Sequence, residues 1–127
     1  MNAVGIDVSK GKSMIAIMRP LGEVVATPFE VGHTATELNE LAKFILKISG
    51  ETRVVMEYTG VYFEPIARAL YDAGLTVCVV HAQLIHNYSN NTIRKIKTDK
   101  ADAIKIANYA LDNWSKLKPY TPIDEVR

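Results

Sequence analysis

The hydrophobic pattern changes period after the first quarter of the chain. Met1–Val8, Ser13–Met18 and Glu23–Val31 read as strands, separated by the turn sequences Lys10-Gly11-Lys12 and Arg19-Pro20-Leu21-Gly22. Such short connections make successive strands antiparallel neighbours, and Pro28 marks the third as edge-like because it donates no ladder hydrogen bond. Helical spacing then takes over at Leu38, Leu41, Ala42, Ile45 and Leu46, with Thr34 or Thr36 as N-cap and Gly50 as the stop. Arg53–Tyr58 predicts a fourth strand, Val61–Ala73 a second helix ended by Gly74, and Leu75–Val80 a fifth strand. An αβαβ run after a meander requires parallel strands. The expected fold is therefore α/β: a mixed five-stranded sheet, three antiparallel strands then αβαβ, with helices on both faces.

Beyond the fifth strand, His81–Asn91 reads as a short helix running into the polar loop Ser89-Asn90-Asn91-Thr92. Thr98 is placed to cap a last helix, Asp99–Asn113, whose Ala103, Ile106, Ala107, Ala110, Leu111 and Trp114 form one apolar stripe. Lys118-Pro119-Tyr120-Thr121-Pro122 does not continue that helix. The chain is thus expected to divide into a domain over 1–117 and a linker-like tail over 118–127.

With 127 residues, 48% of them hydrophobic, the chain suits one domain with a real core. No apolar run approaches the roughly 20 residues of a membrane span, and the N-terminus lacks the layout of a signal peptide. The single cysteine, Cys78, lies inside an apolar run and reads as core packing, consistent with a cytoplasmic protein. Net charge is only +1, but Arg94, Lys95, Lys97, Lys100 and Lys105 cluster within twelve residues against two aspartates. That stretch reads equally as a phosphate-binding surface or as a solvated, charged helix start.

Four carboxylates change the picture. Asp7 sits between apolar flanks in the first strand, where an unpartnered carboxylate is costly. Glu57 ends the fourth strand, and the carboxyl ends of parallel strands are where sites gather. If strand four pairs with strand one, the two acids are lateral neighbours. Asp99 and Asp102 share a helix face three residues apart and would be laid across that end. Like charges this close need a compensating cation. An all-oxygen donor set without His or Cys favours Mg²⁺ or Mn²⁺. Two such ions about 3.5–4 Å apart suit phosphodiester displacement, leaving Lys97 and Lys100 to hold backbone phosphates. Each residue also has a plainer role: Asp99 and Asp102 complement the helix dipole, and Glu57 belongs to a strand-to-helix junction.

Other candidates carry less. His33, His81 and His86 show no metal-ligand spacing. Ser9 and Ser13 have no recognisable base nearby, and there is no phosphate-binding loop of the Gly-x-x-x-x-Gly-Lys type. Tyr58, Tyr62, Tyr88 and Trp114 suit base stacking or, more commonly, packing.

Three segments resemble the motifs of the DEDD transposases, the "one-ten" class of bacterial insertion-sequence recombinases with the pilin-gene invertase among their relatives. These are Gly5-Ile6-Asp7-Val8-Ser9-Lys10, Glu57-Tyr58-Thr59-Gly60-Val61-Tyr62 and Lys97-Thr98-Asp99-Lys100-Ala101-Asp102-Ala103. The resemblance covers nearly the whole chain, in order, and its third motif is the most specific. It implies a RuvC-like, ribonuclease-H-type fold, with Asp7, Glu57, Asp99 and Asp102 as the four acids that bind Mg²⁺ or Mn²⁺ and carry the chemistry. DNA is the implied substrate, with Lys10, Arg94, Lys95, Lys97 and Lys100 as candidate contacts. It also implies an element-encoded guide RNA, a further C-terminal domain supplying a serine for strand exchange, and a homo-oligomer for the full-length protein.

Three alternatives remain at this stage. A sugar-kinase or actin-like ATPase lobe shares the opening topology, but it needs a glycine-rich turn where this chain has Val8-Ser9-Lys10. A non-catalytic nucleic-acid-binding or dimerisation module would make the acids structural. A stand-alone junction resolvase would use the same acids on a different substrate.

Overall fold

The computed structural model describes residues 1–58, 60–88 and 98–122. Its centre is β1 (Asn2–Ser9), flanked by β2 (Lys12–Arg19) on one side and β4 (Thr52–Glu57) on the other. With β3 (Glu23–Gly32) and β5 (Thr76–Val80) at the edges, the order is β3-β2-β1-β4-β5. β1–β2 and β2–β3 are antiparallel, whereas β1–β4 and β4–β5 are parallel. The mixed sheet and its crossovers are those expected from the pattern. Pro28 does lie on an edge strand, and the β2–β3 register shifts twice near Ile17.

Side-chain alternation sorts each strand onto two faces. Val4, Ile6 and Val8 join Ile15, Ile17, Val54 and Met56 in a core covered by α1 (Ala35–Leu46) and α2 (Glu64–Asp72). Leu38, Leu41 and Ile45 supply α1's apolar stripe, and Ile66 and Leu70 supply that of α2. The opposite face carries Ala3, Val55, Cys78 and Val80. It is covered by α4 (Asp99–Asp112) through Ile106, Ala107 and Ala110, and by α3 (Ala82–Tyr88) through Ile85. Burying each of the large aliphatic side chains contributes about 1.5–3 kcal/mol. Cys78 is packed in this second core as expected, and burial pushes its thiol pKa up.

Gly5 sets how closely α4 approaches. A Cβ built there would collide with the Ala103 carbonyl oxygen and stand 2.5 Å from the Ala107 nitrogen. Only glycine lets the helix backbone lie directly on the central strand.

Two expected boundaries move. α1 takes Thr34 as its N-cap and ends at Leu46, before Gly50. α2 begins at Glu64 rather than Val61, because residues 60–63 form turns and Gly60 adopts φ 65°. Pro65, which lacks an N–H, fits only the first turn of the helix that follows. In the segment read as linker-like, the described residues make contacts with the sheet and α2. The Tyr120 N–H donates to the Val77 carbonyl at 2.6 Å, and its hydroxyl meets the Glu64 carboxylate at 2.5 and 2.7 Å. The Tyr120 ring stands edge-on to Phe63 and Tyr71, and Pro122 is buried. This stretch is packed on β5 and α2. The polar loop expected after α3 lies outside the described residues.

Candidate metal centre and its cavity

Asp7 is on the α4 side of β1, by alternation from Ala3 and Gly5. Glu57 follows one step beyond the Ile6–Met56 pair of the parallel ladder, which puts both acids at the carboxyl end of adjacent strands. Asp99 and Asp102 occupy the first turn of α4. Thr98 caps that turn: its hydroxyl accepts from the Ala101 N–H at 3.1 Å. The unpaired N–H groups there favour negative side chains. Thr98→Ala is expected to cost about 1 kcal/mol of stability. Read as a melting temperature, the loss should come with a weaker response to divalent ions as the acid-bearing turn frays.

Carboxylate oxygens of Asp7, Asp99 and Asp102 lie within 4.8 Å of one another. Glu57 stands outside that cluster but close enough to act on Asp7. Asp7's carboxyl is pushed up to about 7, mainly by burial, then by the charges of Asp102, Asp99 and Glu57 and a hydrogen bond with Asp99. Such mutual repulsion is what a cation relieves, and the all-oxygen set fits Mg²⁺ or Mn²⁺.

The acids open onto a cavity of about 460 Å³. Asp7, Glu57 and Asp102 line it together with Gln83, His86 and Lys105. In sequence, His86 shows no metal-ligand spacing, Lys105 belongs only to a basic stretch, and Gln83 carries no signal. All three depend on how α3 seats against α4. That seating is made by Ile85, which is buried, and by Tyr88, whose hydroxyl donates to Asp112 at 2.6 Å. Tyr88 also packs edge-on against Tyr109, and burial together with Asp112 drives its hydroxyl pKa up to about 12.

Among the candidate nucleic-acid contacts, Lys10 is exposed in the β1–β2 turn, three residues beyond Asp7. Lys100 is exposed in the first turn of α4 between the two aspartates. Arg94, Lys95 and Lys97 lie outside the described residues. Tyr58 and His81 are exposed neighbours at this end of the sheet, their rings 6.4 Å apart. Ser13 does have an imidazole beside it, His33 Nε2 at 2.8 Å. At 2% exposure, however, that serine is a satisfied buried hydroxyl rather than an accessible nucleophile.

The fold is the ribonuclease-H-like, RuvC-type one. A Thermus thermophilus RuvC structure in complex with a Holliday junction substrate matches with a TM-score of 0.71 and 14% identity, over 94% of this chain and 99% of that one. A second T. thermophilus RuvC structure matches with a TM-score of 0.67 and 14% identity, over 94% and 100%. No curated protein matches the chain in sequence. Residues 4–126 match the family model of the IS110-type DEDD transposases, described as transposase, and the chain belongs to that family. No helix among the described residues is long and apolar enough to cross a membrane.

Proposed function

We propose that this chain is a divalent-metal-dependent catalytic domain that cleaves DNA phosphodiesters in transposition, with Asp7, Glu57, Asp99 and Asp102 as its metal-binding residues. The observation that carries this reading is the convergence of Asp7, Asp99 and Asp102 within 4.8 Å on a transposase-family chain, with the Asp7 carboxyl pushed up to about 7 by burial first and by the neighbouring acids second. Bound there, Mg²⁺ or Mn²⁺ would supply charge neutralisation at the phosphate and an activated water or hydroxyl nucleophile. The protein's own part is positional. β1 and β4 hold Asp7 and Glu57 on a rigid sheet, and α4 holds Asp99 and Asp102 on a capped turn. Lys10, Lys100, Arg94, Lys95 and Lys97 are assigned to the DNA backbone, where they orient the strand without reading its sequence. A four-way junction is the second substrate to try, since the RuvC of similar fold was captured with one.

The test is a titration of Mg²⁺ and Mn²⁺ into the wild type and Asp7→Asn/Asp102→Asn at constant ionic strength, following melting temperature and cleavage of linear and junction DNA. At an ion concentration a hundredfold above Kd, the wild type should gain about 2.7 kcal/mol, and the double variant should gain nothing. An equal response in both proteins overturns the metal assignment. Metal-dependent cleavage that survives the double substitution overturns the catalytic one.

A further inference from the structure

We propose that Lys105, with His86 lining the same cavity, forms a phosphate subsite beside the acidic cluster. It would take a phosphodiester adjacent to the one under attack. This deepens the proposed function and rests on that reading.

The placement is the first argument. Lys105 follows Asp102 by three residues, roughly 4.5 Å of helix rise. Residues three apart share a helix face, so the two side chains project on the same side of α4. Lys105 and Asp102 line the same cavity, so a strand with one phosphate at the acids runs past the lysine. The α3 side of the cavity is held in place. α3 is pinned to α4 by buried Ile85 and by the Tyr88–Asp112 hydrogen bond, which keeps His86 on the cavity.

Charge is the second argument. Even with divalent ions offsetting the carboxylates, a phosphodiester entering the cavity would add negative charge to a partly desolvated space. Among the described residues, Lys105 and His86 are the cavity-lining side chains able to carry positive charge. A lysine ammonium is a compact charge on a flexible stem, suited to following a phosphate as the strand shifts during reaction. Gln83 on the same wall adds an uncharged amide that can bond to phosphate or sugar oxygens.

The plainer role for Lys105 is that of counter-ion to the carboxylates when no metal is bound, and the two roles separate in a binding measurement. Fluorescence anisotropy would follow a labelled DNA duplex of about 20 base pairs in Ca²⁺ across a salt series. The wild type, Lys105→Gln, Lys105→Arg and His86→Gln would be compared, each checked for an unchanged melting transition in Ca²⁺. Lys105→Gln is expected to weaken binding about tenfold and to reduce the slope of log Kd against log salt by about one. Lys105→Arg should retain both, and His86→Gln should show a smaller loss. Unchanged affinity and slope for Lys105→Gln overturn the subsite and leave the metal-centre reading standing. No Ca²⁺-dependent binding by the wild type overturns the DNA reading and the subsite together.

Discussion

Asp7→Asn is expected to raise the melting temperature of the metal-free protein at pH 8 while erasing its response to Mg²⁺. Asp7's carboxyl titrates near 3.8 when exposed but at about 7 in the fold. Between those values the native chain holds a proton that the unfolded chain has released. Stability of the metal-free protein therefore falls as pH rises from about 4 to about 7, and stays at its reduced level above that. The shift corresponds to at most about 4 kcal/mol, and water reaching the open cavity reduces it. Asparagine keeps the shape and removes the titration, so the variant's curve should be flatter over that window, with the gap between the two widest above pH 7. Melting temperatures in chelator from pH 4 to pH 8 decide the matter. Parallel curves for wild type and variant would remove the strain assigned to Asp7. Adding Mg²⁺ at pH 8 should then lift the wild type alone, because the asparagine variant lacks one of the carboxylates proposed to hold the ion.

The second large effect is expected far from any charge. Gly5→Val should destabilise the domain by more than about 4 kcal/mol, which places it among the rare severe single substitutions. Gly5→Ala should cost about 1–3 kcal/mol. At this position the new side chain meets backbone, not a flexible side-chain end. The Ala103 carbonyl and the Ala107 nitrogen belong to α4, and β1 is central in the sheet, so neither side yields easily. Whatever relief occurs must lift α4, and α4 carries Asp99 and Asp102. Gly5→Ala should therefore lose metal response out of proportion to its loss of stability. Denaturant unfolding with and without Mg²⁺ measures both quantities. A Gly5→Ala protein of normal metal response would show that α4 rotates in place rather than moving off the strand.

Much of this molecule is written in local sequence. Period-two stretches separated by turn residues define β1, β2 and β3, and the helical spacing from Leu38 to Leu46 defines α1. Alternation along a strand also commits Asp7 to the face opposite Ile6, and three-residue spacing commits Asp99 and Asp102 to one side of α4. These features follow from backbone geometry that each segment carries by itself. The resemblance to the DEDD transposases, read from three short motifs, likewise needed no coordinates.

Tertiary structure decided which of those faces meet. Gly5 reads in sequence as an unremarkable strand residue, and its close contact with Ala103 and Ala107 exists only because α4 crosses β1 after nearly a hundred intervening residues. Glu57 is near Asp7 in the parallel register yet outside the tight group of three, a distinction that order along the chain does not carry. Lys105 and His86 share a cavity because Tyr88 and Ile85 seat α3 against α4. Tyr120, in a segment whose prolines suggest a linker, is held by a carbonyl of β5 and a carboxylate of α2. In each case the partners are distant in sequence, and no local period encodes them. What brings them together is the burial of apolar faces on both sides of one sheet.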